Sequence, residues 1–304
     1  MLTSFVVKMP WQILTWQIFR QIRTAHWIKH VLIFLPAFFA GQIFHLTRFN
    51  WIQLIATFAA FCCLSSAIYC FNDVIDIKED RMHPAKRLRP LASGYFTRRQ
   101  TVLIALLVLL AGVSCISVLP KFVAGILCAY TVLNLLYCLW LKQIAIIDVS
   151  CISIGFVLRL GAGGLVTGVA LSHWIVIITF LLAFSVALSK RRDDLVLGKE
   201  SNLTFRQAQV GYTTGFIDTA KGISFAVTLV AYILYTVSPE VMERLATEYV
   251  YITALPVFLG IMRYLQLSIV KEQTGDPIQL LFRDPFLLTM VVAWLGVFYY
   301  FLYG

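Results

Sequence analysis

Apolar residues run in long blocks along this chain instead of alternating with polar ones. Nine blocks stand out, at about 30–47, 52–72, 101–119, 121–140, 147–167, 173–189, 222–238, 249–268 and 286–303. Each is near the length a helix needs to cross a bilayer, about 17–25 residues. Barrel strands would switch faces at every residue, and these blocks do not. The pattern therefore predicts an all-α integral membrane protein with nine transmembrane helices. Pro120 suits the first turn of the fourth block, where its missing N–H is not needed. Ahead of the blocks, Trp11, Leu14, Ile18 and Ile22 recur at helical spacing, with Gln12, Arg20 and Arg23 elsewhere around the helix. That spacing predicts an interfacial segment over 1–22 and a transmembrane domain over 23–304. The opening "MLTSFVVKMPWQILTWQIFRQIR" lacks a basic start, an apolar core and a cleavage site in that order, so it is not read as a signal peptide.

Charge changes the picture next. The 304 residues are 60% hydrophobic and 13% charged, with a net charge of +10; soluble domains carry about 25% charged residues. A basic excess in a soluble chain would suggest nucleic acid. Here it follows the positive-inside rule instead, and no nucleic-acid partner is expected. With the N-terminus in the cytoplasm, only Arg48, Lys121 and Arg244 fall outside and Arg159 falls within the bilayer. The remaining 21 of the 25 Lys and Arg residues then lie inside. The loops after blocks two, four, six and eight would all face the cytoplasm, and they hold most side chains capable of chemistry. The seven cysteines lie in or beside apolar blocks with no CxxC spacing, so neither zinc nor a disulfide framework is supported. They read as small packing residues.

The second block ends in "YCFNDVIDIKEDRMHPAKRLRPLASG", Tyr69 to Gly94. On a helix Asp73, Asp76 and Asp80 are spaced i, i+3 and i+7 and share one face, while Asn72 and Asp76 are i, i+4. Three acids on one face repel one another unless a cation joins them, and hard oxygen donors suit Mg²⁺ held together with a phosphorylated substrate. The plainer reading is a solvated helix end at the membrane surface. Against it, ionisable groups at membrane depth are functional by default. Arg81, His83, Lys86, Arg87 and Arg89 follow at once, broken by Pro84 and Pro90. The prolines end the helix and shape the loop, and guanidinium forks suit phosphate oxygens. Topology and anionic-lipid contact explain such charge equally, but not its interleaving with Asp80 and the prolines.

"NDVIDIKEDRMHPAKRLRPLASG" resembles the first aspartate motif of the UbiA superfamily of intramembrane prenyltransferases, written NDxxDxxxD with a basic Arg-Pro segment after it. The variant DRxHPxKRxRPxASG is closer to one branch, the decaprenyl-phosphate phosphoribosyltransferases. "YCLWLKQIAIIDV" resembles the superfamily's Tyr-xxx-Leu-Lys element, which implies that Lys142 reaches a phosphate and Tyr137 positions it; an interfacial snorkelling lysine is the alternative. Asp148 opens the fifth block. "GFVLRLGAGGLVTG" resembles the branch's VLRxxAGG and puts Arg159 deep in that block, where a charge costs about 2.5–3.5 kcal/mol on insertion scales. It should pair with an acid or face a polar cavity. Gly161, Gly163 and Gly164 permit close helix packing. "RTAHWIKHVLIFLP" resembles the WxKN opening, with Lys29 a candidate for a lipid phosphate and His30 where the branch often has Asn; topology explains Lys29 as well. "GDPIQLLFRDP" is also family-like, with no role assigned.

One departure shapes the functional expectation. Most superfamily members carry a second DxxxD motif after block six. Here "ALSKRRDDLVLGKE" has adjacent Asp193 and Asp194, with Gly198 where the later acid would stand. The KRRxxL pattern resembles the phosphoribosyl branch and adds Lys190, Arg191 and Asp194 to the candidate set. The resemblance implies a UbiA-like transmembrane catalytic domain that transfers 5-phosphoribose from phosphoribosyl diphosphate to a polyprenyl phosphate, with Mg²⁺ as cofactor. It also implies a role in cell-envelope polysaccharide synthesis at a bacterial inner membrane, with the active site facing the cytoplasm. Asp73, Asp76 and Asp80 would be the catalytic metal-binding acids. Asn72, Arg81, His83, Lys86, Arg87 and Arg89, with the residues just named from the other loops, would bind substrate. A prenyltransferase acting on an aromatic or other small acceptor is the alternative. A transporter of anionic lipids or metabolites is a further one. No inverted repeat of broken helices favours the transporter.

Overall fold

The computed structural model describes residues 11–201, 211–271 and 277–303. Lys8 and Arg206, counted in the charge bias, and the start of "GDPIQLLFRDP" lie outside the described residues. Thirteen α-helices follow in order: α1 Trp11–Gln21, α2 Leu35–Phe39, α3 Arg48–Ile75, α4 Ile77–Met82, α5 Arg98–Ile116, α6 Lys121–Leu139 and α7 Ile147–Thr167; then α8 His173–Ser201, α9 Thr214–Thr236, α10 Pro239–Leu245, α11 Ala254–Leu265, α12 Pro277–Arg283 and α13 Pro285–Tyr303. No strand occurs among the described residues.

Eight helical segments among the described residues are long and apolar enough to cross a membrane, and the chain is an integral membrane protein. The block expected at 30–47 is built differently. It is replaced by the shorter apolar stretch Thr24–Phe39, a 3₁₀ helix over Thr24–Phe34 that runs into α2. The tighter winding explains how so short a stretch extends so far. Eleven residues at about 2.0 Å and five at about 1.5 Å come to about 30 Å, the thickness of the hydrocarbon core. The stretch stops at Gly41, whose φ of 69° belongs to the left-handed region that glycine adopts without strain.

The chain divides into two compact units. One comprises the residues up to Val31 with Ile55–Pro120, the other Leu32–Leu54 with the residues from Lys121 onward. In the first unit, the residues after α1 are pinned to α3 by polar contacts. Trp27 Nε1 donates to Ser66 Oγ at 3.0 Å, Ser66 Oγ donates to the Ile22 carbonyl at 2.8 Å, and His30 Nε2 pairs with Ser65 Oγ at 3.0 Å. Along α1, Gln21 and the following Ile22 are buried, while Trp11, Ile13, Trp16 and Phe19 stay exposed. Thr97 and Gln100 form a capping box that starts α5.

In the second unit α7 is the most enclosed helix, packed by α2, α6 and α8. A Cβ at Gly163 would lie 2.0 Å from the Ile33 carbonyl oxygen, so only glycine allows that backbone approach. The packing role expected for the glycines of this helix is met there. Around α8, α9, α11 and α13 lies an apolar cavity of about 650 Å³, whose walls include Phe39, Phe156, Phe225, Tyr232, Tyr264 and Trp294.

Candidate active site

α3 ends at Ile75, and Asp76 takes φ −88° and ψ 14° before α4 begins. The break is slight. Asp76 N–H still reaches the Asn72 carbonyl at 2.9 Å, and Asp80 N–H the Asp76 carbonyl at 2.8 Å. Helical register therefore survives the junction and Asp73 and Asp80, seven residues apart, face the same way. Both are buried. Asp76 is half-buried and accepts from Asn72 Nδ2 at 3.0 Å.

The loop that follows returns a base onto these acids, for a local reason. A residue before proline is driven to extended backbone. His83 before Pro84 and Arg89 before Pro90 have ψ of 130° and 146°. Between them His83 Nδ1 accepts the backbone N–H groups of Ala85 and Lys86 at 3.2 and 3.3 Å, which fixes the turn into the short 3₁₀ helix Lys86–Leu88. Arg89 Nη1 then lies 2.5 Å from Asp80 Oδ2 and 3.2 Å from Asp73 Oδ1. Burial, and after it the neighbouring Arg23 charge, lower the Arg89 pKa from its ordinary value, while the two carboxylates oppose the shift. Arg81 is exposed, with Nε 3.3 Å from the Ala92 carbonyl; Arg87 is exposed and Lys86 half-buried.

Two residues outside the motif complete this cluster. Arg23 Nη2 ion-pairs with Asp73 Oδ1, and its guanidinium lies 4.7 Å from the centre of the Tyr69 ring. Gln21 Nε2 donates to Asp73 Oδ2 at 3.1 Å. Sequence reasoning counted Arg23 as a topological charge and did not select Gln21.

Asp73 and Asp80 fit a divalent cation by donor type and placement. Both are hard carboxylates that converge on one cationic atom, Arg89 Nη1, and donors of this type would hold a divalent cation. Asp76, a third carboxylate of the motif, is held by Asn72. No group of three or more His, Cys, Asp or Glu side chains among the described residues is already gathered as a ligand set.

The second unit carries a different cluster. Arg191 Nε contacts Asp148 Oδ2 at 2.5 Å, and its Nη2 donates to Tyr137 Oη at 3.1 Å. Its contact with Asp194, at 3.5 Å, is long. Tyr212 Oη donates to Asp148 Oδ1 at 2.6 Å and accepts the Ile146 N–H at the same distance. Burial, and then the Asp148 carboxylate, raise the Tyr212 pKa, which keeps it a phenol and a donor. Ile146 has φ 70°, an outlier for a β-branched residue; the Tyr212 bond holds it there. Asp148 is wholly buried and Arg191 nearly so. Arg191 was expected to bind substrate and Tyr137 to position Lys142. Arg191 and Tyr137 meet each other, and Lys142 lies half-buried in the 3₁₀ turn Leu141–Gln143. Lys29 and Lys190 are likewise half-buried.

Nearby on α8 and α9, Asp218 is shared by Arg192 at 3.1 Å and Lys221 at 3.0 Å, and Lys221 Nζ donates to Ser268 Oγ at 2.6 Å. None of Asp218, Lys221 and Ser268 was selected from the sequence; the i, i+3 charge pair just ahead of the 222–238 block was the available signal. Arg159 is buried as expected. It donates to the Gly155 carbonyl at 2.5 Å and to Tyr130 Oη at 2.8 Å, and its guanidinium lies over the Tyr130 and Phe156 rings.

The UbiA prenyltransferase family profile matches residues 33–289. The chain belongs to the UbiA prenyltransferase family. Within reach of this UbiA chain are the decaprenyl-phosphate phosphoribosyltransferase of Corynebacterium glutamicum, 27% identical over 277 residues that cover 90% of this chain and 83% of the relative. That of Mycolicibacterium smegmatis is 27% identical over 290 residues, covering 91% and 89%. Among solved structures, a UbiA homolog from Archaeoglobus fulgidus bound to DMAPP and Mg²⁺ superposes with a TM-score of 0.69 at 16% identity, covering 94% of this chain and 99% of that one. The UbiA family expected from the motifs is thus found, and relatives of this chain carry the phosphoribosyltransferase name.

Proposed function

We propose that this UbiA-family protein transfers 5-phosphoribose from phosphoribosyl diphosphate to a polyprenyl phosphate in a Mg²⁺-dependent reaction, releasing diphosphate. The observation that carries this reading is the joined acid and base cluster of Asp73, Asp80 and Arg89, in a chain whose curated relatives are named decaprenyl-phosphate phosphoribosyltransferases. In the reaction the bond between ribose C1 and the diphosphate oxygen breaks and its electron pair leaves with the diphosphate. A bond from C1 to an oxygen of the lipid phosphate forms.

Asp73, Asp76 and Asp80 would hold the metal. Bound Mg²⁺ would neutralise charge building on the leaving diphosphate, as a Lewis acid. Arg89 and the more exposed Arg81, Lys86 and Arg87 would grip the diphosphate and the 5-phosphate, the guanidinium forks bidentately. Asn72 orients Asp76, and His83 sets the turn that carries these bases. Lys142, with Lys29 or Lys190, would hold the lipid phosphate. Arg159, Arg191 and Asp194 would also bind substrate, from positions set by their contacts with Tyr130 and Asp148 and with each other. The acceptor phosphate is already an anion, so no general base is required, and alignment and electrostatics supply the rate. The 650 Å³ apolar cavity suits part of a polyprenyl tail. The Lys/Arg bias supports a cytoplasmic active site in a bacterial inner membrane, with the role in cell-envelope synthesis following from the product. The 1–22 segment would lie at the interface, as the exposed Trp11, Trp16 and Phe19 suggest.

A second reading is prenyl transfer to a small aromatic acceptor, supported by the fold likeness to a UbiA homolog bound to DMAPP. The missing second DxxxD, with Gly198 in place of an acid, weighs against it. One assay separates the two. Purified protein receives Mg²⁺, phosphoribosyl diphosphate labelled in the ribose, and a polyprenyl phosphate. Label passing into the lipid phase is the expected result. Label staying in water, while prenyl diphosphate is consumed with an aromatic acceptor, would overturn the first reading.

A further inference from the structure

The acidic cluster is closed on itself. Asp73 Oδ1 receives both Arg23 and Arg89, its Oδ2 receives Gln21, and Asp80 receives Arg89. Two carboxylates are matched by two guanidiniums, so the group is neutral without any ligand. A cation cannot join Asp73 and Asp80 unless at least one arginine moves. Arg23 has a further property. It is a non-glycine residue with φ 55°, in the left-handed region, at the link between α1 and the following 3₁₀ helix. Residues held in such conformations cluster at ligand clamps and switches. Beside it, the buried Gln21 keeps its Oε1 without a hydrogen-bond partner among the described residues.

We infer that Arg23 is a phosphate-binding residue held in reserve by Asp73, and that the metal and the diphosphate enter by exchanging partners with it. The metal takes the carboxylates, and the released Arg23 and Arg89 take the phosphate oxygens. Either ligand alone leaves a mismatch. Metal alone strands two guanidiniums beside a neutralised acid pair. Diphosphate alone strips the guanidiniums from acids that are 3% exposed, and a buried charge without its partner is costly. Together the metal matches the two carboxylates, and the two guanidiniums offset two of the negative charges on the diphosphate. The two ligands must therefore bind with positive coupling, and the coupling is reciprocal. Gln21 stays on Asp73 and offers its free carbonyl oxygen to the incoming cation. This inference rests on the reading of Asp73 and Asp80 as metal ligands, but not on ribose or lipid as substrates.

The test uses the full chain in detergent, with Mn²⁺ replacing Mg²⁺ and inorganic diphosphate as the only other probe. Calorimetry measures Mn²⁺ alone, diphosphate alone in chelator, and the Mn²⁺–diphosphate complex, while electron paramagnetic resonance counts bound Mn²⁺. In the native chain the complex should bind about 5–150-fold more tightly than diphosphate alone. In Arg23→Gln, Mn²⁺ alone should bind several-fold more tightly, because a competitor is gone, and the complex several-fold more weakly. Arg23→Lys should fall between them. If Arg23→Gln leaves Mn²⁺ binding unchanged or weakens it, or if the native chain shows no coupling, the inference fails. The native-chain arm decides even if a variant does not fold. Because no ribose or lipid is present, this outcome is independent of whether phosphoribosyl transfer is observed.

Discussion

The cluster at Asp73 and the one at Asp148 both pair carboxylates with guanidiniums, and they are built differently. At Asp73 the acids are buried, but their bases keep access to the outside: the Arg23 and Arg89 side chains are 16% and 25% exposed. The bases arrive from a proline-shaped loop and a strained link, so each can leave without unpacking a helix. At Asp148 the Arg191 side chain is 5% exposed and the carboxylate 0%, both partners sit on membrane-spanning helices, and Tyr212 closes the second oxygen. Composition alone does not distinguish the two clusters. The exposure of the cations, and whether they ride on loops or on packed helices, does.

The largest expected effect breaks the second cluster. Asp148→Ala strands the Arg191 charge and should cost about 3–5 kcal/mol of stability, read by unfolding in detergent. Replacing both residues by leucine should recover most of that loss, since a buried ion pair is often matched by apolar packing. Recovery would mark the pair as scaffolding; no recovery, with ligand binding also lost, would move it to the site. A smaller effect is expected from Tyr212→Phe, which leaves an Asp148 oxygen and the Ile146 N–H unsatisfied. About 1–3 kcal/mol of stability should go. An unchanged unfolding midpoint would mean that Ile146 holds its φ of 70° without Tyr212.

The sequence made much of the fold legible because bilayer length is a strong constraint. Eight of the nine expected spans correspond to long apolar helices. The ninth, at 30–47, was misplaced because apolar content does not distinguish 3₁₀ winding from α, and winding sets the reach. The acidic motif was readable from i, i+3, i+7 spacing, and the prolines foretold a loop. Hidden from sequence was which base meets which acid. Arg23 and Gln21 lie 50 and 52 positions before Asp73, and Tyr212 lies 64 positions after Asp148. Local periodicity carries no information across such separations. The partner of Arg191, Asp148, is likewise 43 residues away.

Asp76 offers the most direct test of the central claim. It is half-buried and bonded to Asn72. The measurement is transfer of ribose label to polyprenyl phosphate by Asp76→Ala, alongside its unfolding midpoint. The expected result is a loss of at least about 100-fold in transfer, the scale of removing one group that stabilises developing charge, with the midpoint unchanged. Transfer within a few-fold of the native chain would contradict the account.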